Sequence, residues 1–177
     1  MPDIFPPLRR HLFLTGDKQV GKSTLLHTLI NARSLECSGF ETRHLEIDHM
    51  RRAHILHGLV DMPEYENDCI CCVRVNDCRS VAVPYVFDVN GTESLNKSIA
   101  SSAPYILMDE LGRLEGKSES FIRGVFAALD SEKRVLGVLQ QCSAAHLDAI
   151  KERDDVTVIT VTEQNRDDLT DWLIEHY

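Results

Sequence analysis

Eight consecutive residues near the N-terminus have the types and spacing of a phosphate-binding loop. They fit the pattern G-x-x-x-x-G-K-[ST] and read Gly16-Asp17-Lys18-Gln19-Val20-Gly21-Lys22-Ser23. The two glycines allow backbone angles and close approaches that a Cβ atom would prevent. The lysine would reach the β- and γ-phosphates of a nucleotide, and the serine hydroxyl would bind Mg²⁺.

The residues on either side predict the strand and the helix that such a loop requires. Residues 11–14 are a short apolar run that suits a buried strand, and residues 24–32 place leucines and an isoleucine on one helical face. A strand, a glycine loop and a helix in this order aim backbone N–H groups at one point, at the positive end of the helix dipole. The alternative is a chance match in a glycine turn.

A second set of candidate catalytic residues follows an apolar run in the middle of the chain. Residues 105–108 are expected to form a strand buried on both faces, with Asp109 at its end and Glu110 next. Ligands of open α/β sheets bind at the carboxyl ends of strands, so Asp109 would reach the Mg²⁺ shell through water. Glu110 would orient or deprotonate the attacking water. The alternatives are a helix or turn cap for Asp109 and a solvated loop acid for Glu110.

Strand-like and helix-like segments alternate along the rest of the chain. The predicted strands are residues 39–47, 80–87, 134–139 and 156–161. The predicted helices are residues 92–98 with Thr92 as cap, 118–129, 144–151 and 164–176. Residues 48–61 fit a helix or a second strand nearly equally well. The alternation predicts an α/β fold, with a mostly parallel central sheet flanked by helices.

Length and charge narrow the class of protein. The 177 residues suit one domain, so we expect residues 1–177 to form a single unit. The net charge of −9 argues against nucleic acid or an anionic membrane as partner. Because the N-terminus lacks the basic region and long apolar core of a signal peptide, we expect a cytoplasmic protein. We also expect a monomer.

Three further segments, taken with the phosphate loop, resemble a known family. They are residues 39–42 (GFET), residues 109–115 (DELGRLE) and residues 161–166 (VTEQNR). Their order and spacing are similar to those of the thermophile-type, or cancer-related, nucleoside-triphosphatases over nearly the whole chain. The resemblance implies a RecA-like P-loop domain. It also implies Mg²⁺-dependent hydrolysis of nucleoside triphosphates to diphosphate and phosphate, with broad base tolerance.

The resemblance assigns residues to the site by position. The phosphate and Mg²⁺ site would be formed by Gly16, Gly21, Lys22, Ser23 and Thr24. Asp109 would be the acid that orients the metal's waters, and Glu110 would be the catalytic base. Arg113 and Glu115 take the places of a family lysine and the acid after it.

The resemblance also places Asn165 and Arg166 near the nucleotide, at the start of the last helix. Arg166 would stack on the base or pair with a phosphate. Its alternative role is a surface cap of that helix.

Two segments depart from the family pattern. Residues 17–19 replace the proline-rich part of the family's loop, and Asp17 would repel a polyanion unless its side chain points outward. The glycine- and arginine-rich hairpin of the family is hard to trace in residues 48–78. That region could hold a lid, a partner site or a different substrate preference.

Four cysteines lie close together in this departing region: Cys69, Cys71, Cys72 and Cys78. Their spacing is not the paired signature of a zinc site, and neighbouring residues of a strand point to opposite faces. We expect them to pack as small apolar residues, with a metal site and redox sensing as alternatives.

Two rival functions share the phosphate loop. A nucleotide or small-molecule kinase would need an acceptor pocket, and residues 48–78 are the candidate region for it. A nucleotide-dependent binding module, such as a metal or cofactor chaperone, would use the cysteine and histidine cluster as its sensor.

Overall fold

A sheet of eight strands organises the molecule. The structure is a computed structural model that describes residues 5–62, 67–76 and 79–177. In chain order the strands are β1 (His11–Gly16), β2 (Cys37–Ile47), β3 (Met50–Gly58), β4 (Asp68–Asn76), β5 (Arg79–Ala82), β6 (Tyr105–Leu111), β7 (Arg134–Leu139) and β8 (Val156–Val161). Their spatial order is β5-β4-β3-β2-β6-β7-β1-β8.

The sheet has a parallel part and an antiparallel part. Strands β2, β6, β7, β1 and β8 are parallel neighbours. Strands β3, β4 and β5 extend the sheet from β2 as antiparallel neighbours. The predicted α/β fold with a mostly parallel sheet is confirmed. Since β1 and β6 flank β7 and run the same way, their carboxyl ends open on one edge, where ligands of such sheets bind.

Helices and apolar clusters cover both faces of the sheet. The helices are α1 (Lys22–Ala32), α2 (Pro84–Val86), α3 (Thr92–Ala100), α4 (Glu119–Asp130), α5 (Ala145–Lys151) and α6 (Arg166–His176). Leu12 and Leu14 of β1 pack in the cluster that includes α1 and α6. Phe13 between them packs in the opposite cluster, with α4. The alternation follows the two-residue period of a strand and fixes how the loop after β1 leaves the sheet.

The structure settles the ambiguous residues 48–61. They contain β3, which pairs with β2 on one side and β4 on the other. Apolar spacing alone does not separate a strand from a helix here, because the pairing with β2 and β4 decides between them.

Three predicted boundaries are wrong. The strand predicted over residues 80–87 ends at Ala82. Helical backbone runs from Pro84 through a π-helical turn (Phe87–Gly91) into α3, so Thr92 continues helical backbone and does not cap its start. Its hydroxyl instead donates to the carbonyl of Phe87 at 3.1 Å. Strand β6 continues to Leu111, so Asp109 and Glu110 lie within the strand and not beyond its end.

The adjacent Cys71 and Cys72 are both buried in the apolar core. The pairing of β3 with β4 shifts between His54 and Ile55, which makes Cys71 the extra residue of a bulge. The bulge overrides the expected opposite directions, and the predicted packing role is confirmed for this pair. Burial raises the pKa of the Cys71 thiol to about 12. Cys78 and residues 1–4 lie outside the described residues, so the predictions made for them stay predictions.

In the part of the chain that the structure describes, no helix combines the length and the apolar character needed to span a bilayer.

The packing around Phe121 gives a test of the fold. This side chain is fully buried, and its ring lies 5.5 Å from the ring of Phe40 and 5.5 Å from that of Phe87. We expect Phe121→Ala to lower the free energy of unfolding by about 3–5 kcal/mol in denaturant titrations, because removing the ring leaves a cavity in the core. Phe126→Ala, on the partly buried side of the same helix, is the control and should lose clearly less. Equal losses would contradict this packing.

Candidate active site

The phosphate loop lies between β1 and α1. Gly16 and Gly21 have φ angles of +136° and +101°, and a Cβ atom on Gly16 would lie 2.3 Å from the carbonyl oxygen of Val161. Helix α1 begins at Lys22 with neither a side-chain cap nor an acidic residue in its first turn. The first N–H groups of the helix therefore remain available to an external anion, which the helix dipole favours.

Lys22 folds back over the loop. Its ammonium group donates to the carbonyl oxygens of Gly16 and Asp17 at 3.0 and 2.7 Å, and the residue is buried. Among the described residues, no carboxylate lies within 4.0 Å of this ammonium group. A buried cation held only by carbonyl dipoles favours an incoming anion, because desolvation has weakened its interaction with water.

The middle of the loop is exposed to solvent. Asp17, Lys18 and Gln19 are exposed, whereas Val20 is buried in the core. Asp17 is exposed, so water can screen its charge from a polyanion bound to the loop. Gln19 has a φ angle of +64°, so its backbone is in the left-handed region.

A hydrogen bond links the loop to β6. The Ser23 hydroxyl donates to Oδ1 of Asp109 at 3.0 Å. Asp109 is only 4% exposed. The pKa of its carboxyl is raised to about 6, mainly by burial and also by the nearby Glu110 and Glu41, while the Ser23 hydrogen bond opposes the shift. The two residues that the sequence assigns to a metal are thus brought together.

The Ser23 and Asp109 oxygens fit a magnesium ion. Both are hard oxygen donors, which Mg²⁺ prefers, and Mg²⁺ usually keeps several waters and shares substrate phosphates. Within the described ranges, no group of three or more His, Cys, Asp or Glu side chains is arranged to hold a metal ion. The oxygens of this pair would therefore need to be completed by nucleotide phosphates and water.

Glu110 lies beside Asp109 and is half-buried. Its backbone N–H donates to the Thr42 hydroxyl at 3.3 Å, which ties it to β2. No described residue forms a hydrogen bond or ion pair with its carboxylate. A fixed backbone with a carboxylate that lacks a protein partner is the arrangement expected for a base that acts on water.

The loop after β6 is held by a buried acid. The Glu115 carboxylate accepts the backbone N–H of Gly112 at 2.9 Å, and burial raises its pKa to about 7. His146 also contacts this loop, with Nε2 2.9 Å from the carbonyl oxygen of Gly112. Arg113, by contrast, is exposed. Glu115 thus anchors the loop through its side chain, whereas Arg113 takes part through its backbone carbonyl, which accepts the N–H of Gly116 at 3.4 Å.

The two residues predicted before the last helix behave differently. The Asn165 side chain binds its own turn, accepting the N–H of Thr162 at 2.8 Å and donating to the carbonyl of Thr160 at 2.9 Å. Arg166 reaches the phosphate loop, where Nη1 donates to the carbonyl of Val20 at 3.4 Å. The structure therefore brings Arg166 to the loop and leaves Asn165 to shape the turn.

A groove of about 320 Å³ runs between α1 and α6 beside the loop. It is lined by Gly21, Thr24, Leu25, Thr28, Arg166, Asp167, Thr170 and Asp171. A larger cleft of about 790 Å³ lies between residues 6–9, β8 and α5 and includes no residue of the phosphate loop. Of the two, only the smaller groove borders the phosphate loop, through Gly21.

Sequence reasoning missed two residues of the site. His27 Nε2 lies 3.5 Å from Glu41 Oε2 and 4.0 Å from Asp109 Oδ2. A signal for His27 exists in the sequence, since it follows Ser23 by four residues and so shares its helical face. Glu41 has no such local signal, because its approach to Asp109 depends on the pairing of β2 with β6.

Comparisons with known proteins give a matching family model and several similar chains. A family model described as NTPase matches residues 11–174. Nucleoside-triphosphatase THEP1 of Natranaerobius thermophilus is 26% identical over 168 residues, which cover 92% of this chain and 93% of the relative. The human cancer-related nucleoside-triphosphatase is 27% identical over 183 aligned positions, which cover 92% of this chain and 93% of that protein.

Two solved structures share the fold. The solution structure of a human cancer-related nucleoside triphosphatase superposes with a TM-score of 0.69 at 26% identity and covers 94% of this chain and 96% of its own. The crystal structure of THEP1 from Aquifex aeolicus gives a TM-score of 0.70 at 19% identity, with 93% and 97% covered. Both agree with the α/β P-loop architecture.

The buried Glu115 predicts a pH dependence of stability. A carboxyl whose pKa is raised on folding favours the folded state below its unfolded pKa, and this contribution is lost as the pH rises through about 7. Glu115→Gln keeps an oxygen for the Gly112 N–H but has no charge. We expect it to raise the free energy of unfolding at pH 8 by up to about 3 kcal/mol, and by much less at pH 5.

Denaturant titrations at both pH values would measure the difference, with Glu119→Gln, an exposed acid of α4, as the control. A Glu115→Gln variant whose advantage over the wild type is the same at pH 5 and pH 8 would contradict the raised pKa.

Proposed function

This chain belongs to the NTPase family, and from that membership we propose that it hydrolyses nucleoside 5′-triphosphates to diphosphate and phosphate with Mg²⁺ as cofactor. The observation that supports the proposal best is the meeting of three groups at one edge of the sheet. They are the buried Lys22 ammonium, the Ser23 hydroxyl and the Asp109 carboxylate. Together they suit a triphosphate and its cation.

Lys22 and the loop would bind the phosphates. The ammonium group would exchange its two carbonyl partners for the β- and γ-oxygens, where charge develops in the transition state. The free N–H groups at the start of α1 would hold the same oxygens from the other side. Bound Mg²⁺ would supply charge neutralisation at these oxygens.

Glu110 would act on the attacking water. Its carboxylate has no hydrogen-bond partner among the described residues, so it is available to a water in line with the γ-phosphate. Because Glu110 is next to Asp109 in β6, the base would stay at a fixed position relative to the proposed cation site. This arrangement favours hydrolysis over transfer to another acceptor.

The groove between α1 and α6 would receive the nucleoside. Arg166 closes one end of it and contacts the phosphate loop. Its guanidinium group can stack on any base or pair with a phosphate. The groove lies at the surface and is bordered by short polar side chains, and this supports broad base tolerance.

Phosphate release from a panel of nucleoside triphosphates, with and without Mg²⁺, tests the proposal. We expect release from several bases in Mg²⁺ and little in its absence. Transfer of phosphate to an added nucleoside would support a kinase instead. Negligible turnover with stoichiometric bound metal would support a binding module.

Glu110→Gln tests the assigned base. The amide keeps the shape of the side chain but cannot take a proton, so we expect hydrolysis to fall by about 10²–10⁴-fold while Mg-nucleotide binding stays near the wild-type value. Single-turnover phosphate release and binding of a fluorescent ATP analogue measure the two quantities separately. If binding is lost while the remaining bound enzyme turns over normally, Glu110 holds the nucleotide and is not the base.

A further inference from the structure

Two carboxylates from neighbouring strands face the same helix. Glu41 of β2 pairs with Asp109 of β6 in the parallel register, and paired residues of adjacent strands point to one face of the sheet. On the opposing helix α1, Ser23 and His27 are four residues apart and also share one face. Ser23 Oγ lies 3.0 Å from one oxygen of Asp109, and His27 Nε2 lies 4.0 Å from the other.

His27 lies between the two acids. Its Nε2 is 3.5 Å from Glu41 Oε2, so one ring nitrogen faces both carboxylates. The His27 side chain is 44% exposed, whereas those of Glu41 and Asp109 are 16% and 6% exposed. The imidazole therefore has room to rotate into solvent unless a partner holds it. The carboxylates do not have that freedom.

Glu41 is itself held in place. Its other oxygen, Oε1, accepts the Nε–H of Arg43 at 2.7 Å, and Arg43 follows it by two residues on the same face of β2. Nη1 of Arg43 lies 3.7 Å from Asp68 at the start of β4. Ion pairs of Arg43 thus connect the antiparallel part of the sheet to Glu41, and His27 lies between Glu41 and the acid of the proposed cation site.

We propose that Glu41 and His27 are positioning residues for the proposed nucleoside-triphosphatase reaction, and that they act through Asp109. Glu41, anchored by Arg43, holds the His27 ring so that Nε2 borders the outer oxygen of Asp109. The inner oxygen is then directed at Ser23 and the cation. Without this support the ring turns to solvent and the Asp109 carboxylate loses its fixed orientation.

The role predicts a specific loss. Loss of a residue that orients a carboxylate of a metal site typically lowers metal affinity by about 10–100-fold. We expect Glu41→Ala and His27→Ala each to raise the Mg²⁺ concentration for half-maximal activity by about 10-fold, with activity near the wild-type value at saturating Mg²⁺. Since the two residues act in series, the double variant should shift no further than either single variant.

Conservative variants separate positioning from simple structural support. Glu41→Gln keeps an oxygen that accepts from His27, and His27→Asn keeps a short N–H donor. Each should recover part of the Mg²⁺ response. Glu46→Ala removes an exposed acid farther along β2 and is the matched control, which should titrate like the wild type.

The experiment combines Mg²⁺ titrations of phosphate release with Mg²⁺-dependent binding of a fluorescent ATP analogue. The proposal requires that Glu41→Ala and His27→Ala weaken the Mg²⁺-dependent part of binding and leave metal-free binding and the melting temperature unchanged. It is overturned if both titrate like Glu46→Ala, if metal-free binding or folding falls equally, or if the two losses add.

These outcomes are distinct from a failure of the proposed function. A wild type that releases no phosphate from any nucleotide would refute hydrolysis, while the shift in Mg²⁺-dependent binding would still decide the role of Glu41 and His27.

Discussion

The hydrogen bond between Ser23 and Asp109 is the interaction on which the site depends. It joins the start of α1 to β6 across the intervening strand β7, and so fixes the phosphate loop relative to the acids of the sheet. The proposed reaction depends on this alignment of α1 with β6. Lys22 precedes the serine, Glu110 follows the aspartate, and His27 and Glu41 approach the other side of the same carboxylate. A small change of this distance would separate the phosphate loop from the proposed cation site.

The site concentrates charge that is unfavourable in the ligand-free protein. Lys22 is buried with only carbonyl partners, and burial raises the pKa values of Asp109 and Glu115 to about 6 and 7. Such groups lower stability when ionised, and they strengthen electrostatic contacts with a ligand because little water screens them. A bound polyanion would offset the charge of Lys22, and the cation bound with it would offset the charge of Asp109. This trade of stability for binding is common at functional sites.

The sequence can indicate the loop and the acids because each is encoded locally. A strand pattern, a glycine-lysine-serine spacing and a helix pattern occupy consecutive residues, and Asp109 and Glu110 interrupt one apolar run. The identity of β3 was not predictable in this way, since residues 48–61 become a strand only through their partners β2 and β4. The bulge that buries both Cys71 and Cys72 also depends on register. The place of Glu41 beside Asp109 depends on it for the same reason.

The most direct test of the account is the effect of Lys22→Ala on phosphate release from ATP in Mg²⁺. The account predicts a fall of at least about 10²–10³-fold, because one buried ammonium group stabilises the charge that develops on the β/γ oxygens. Lys151→Ala removes an exposed lysine of α5 whose ammonium group pairs with Asp148 at 3.0 Å, and it should release phosphate at the wild-type rate. Wild-type release by a folded Lys22→Ala protein would contradict the assignment of the loop and with it the proposed function.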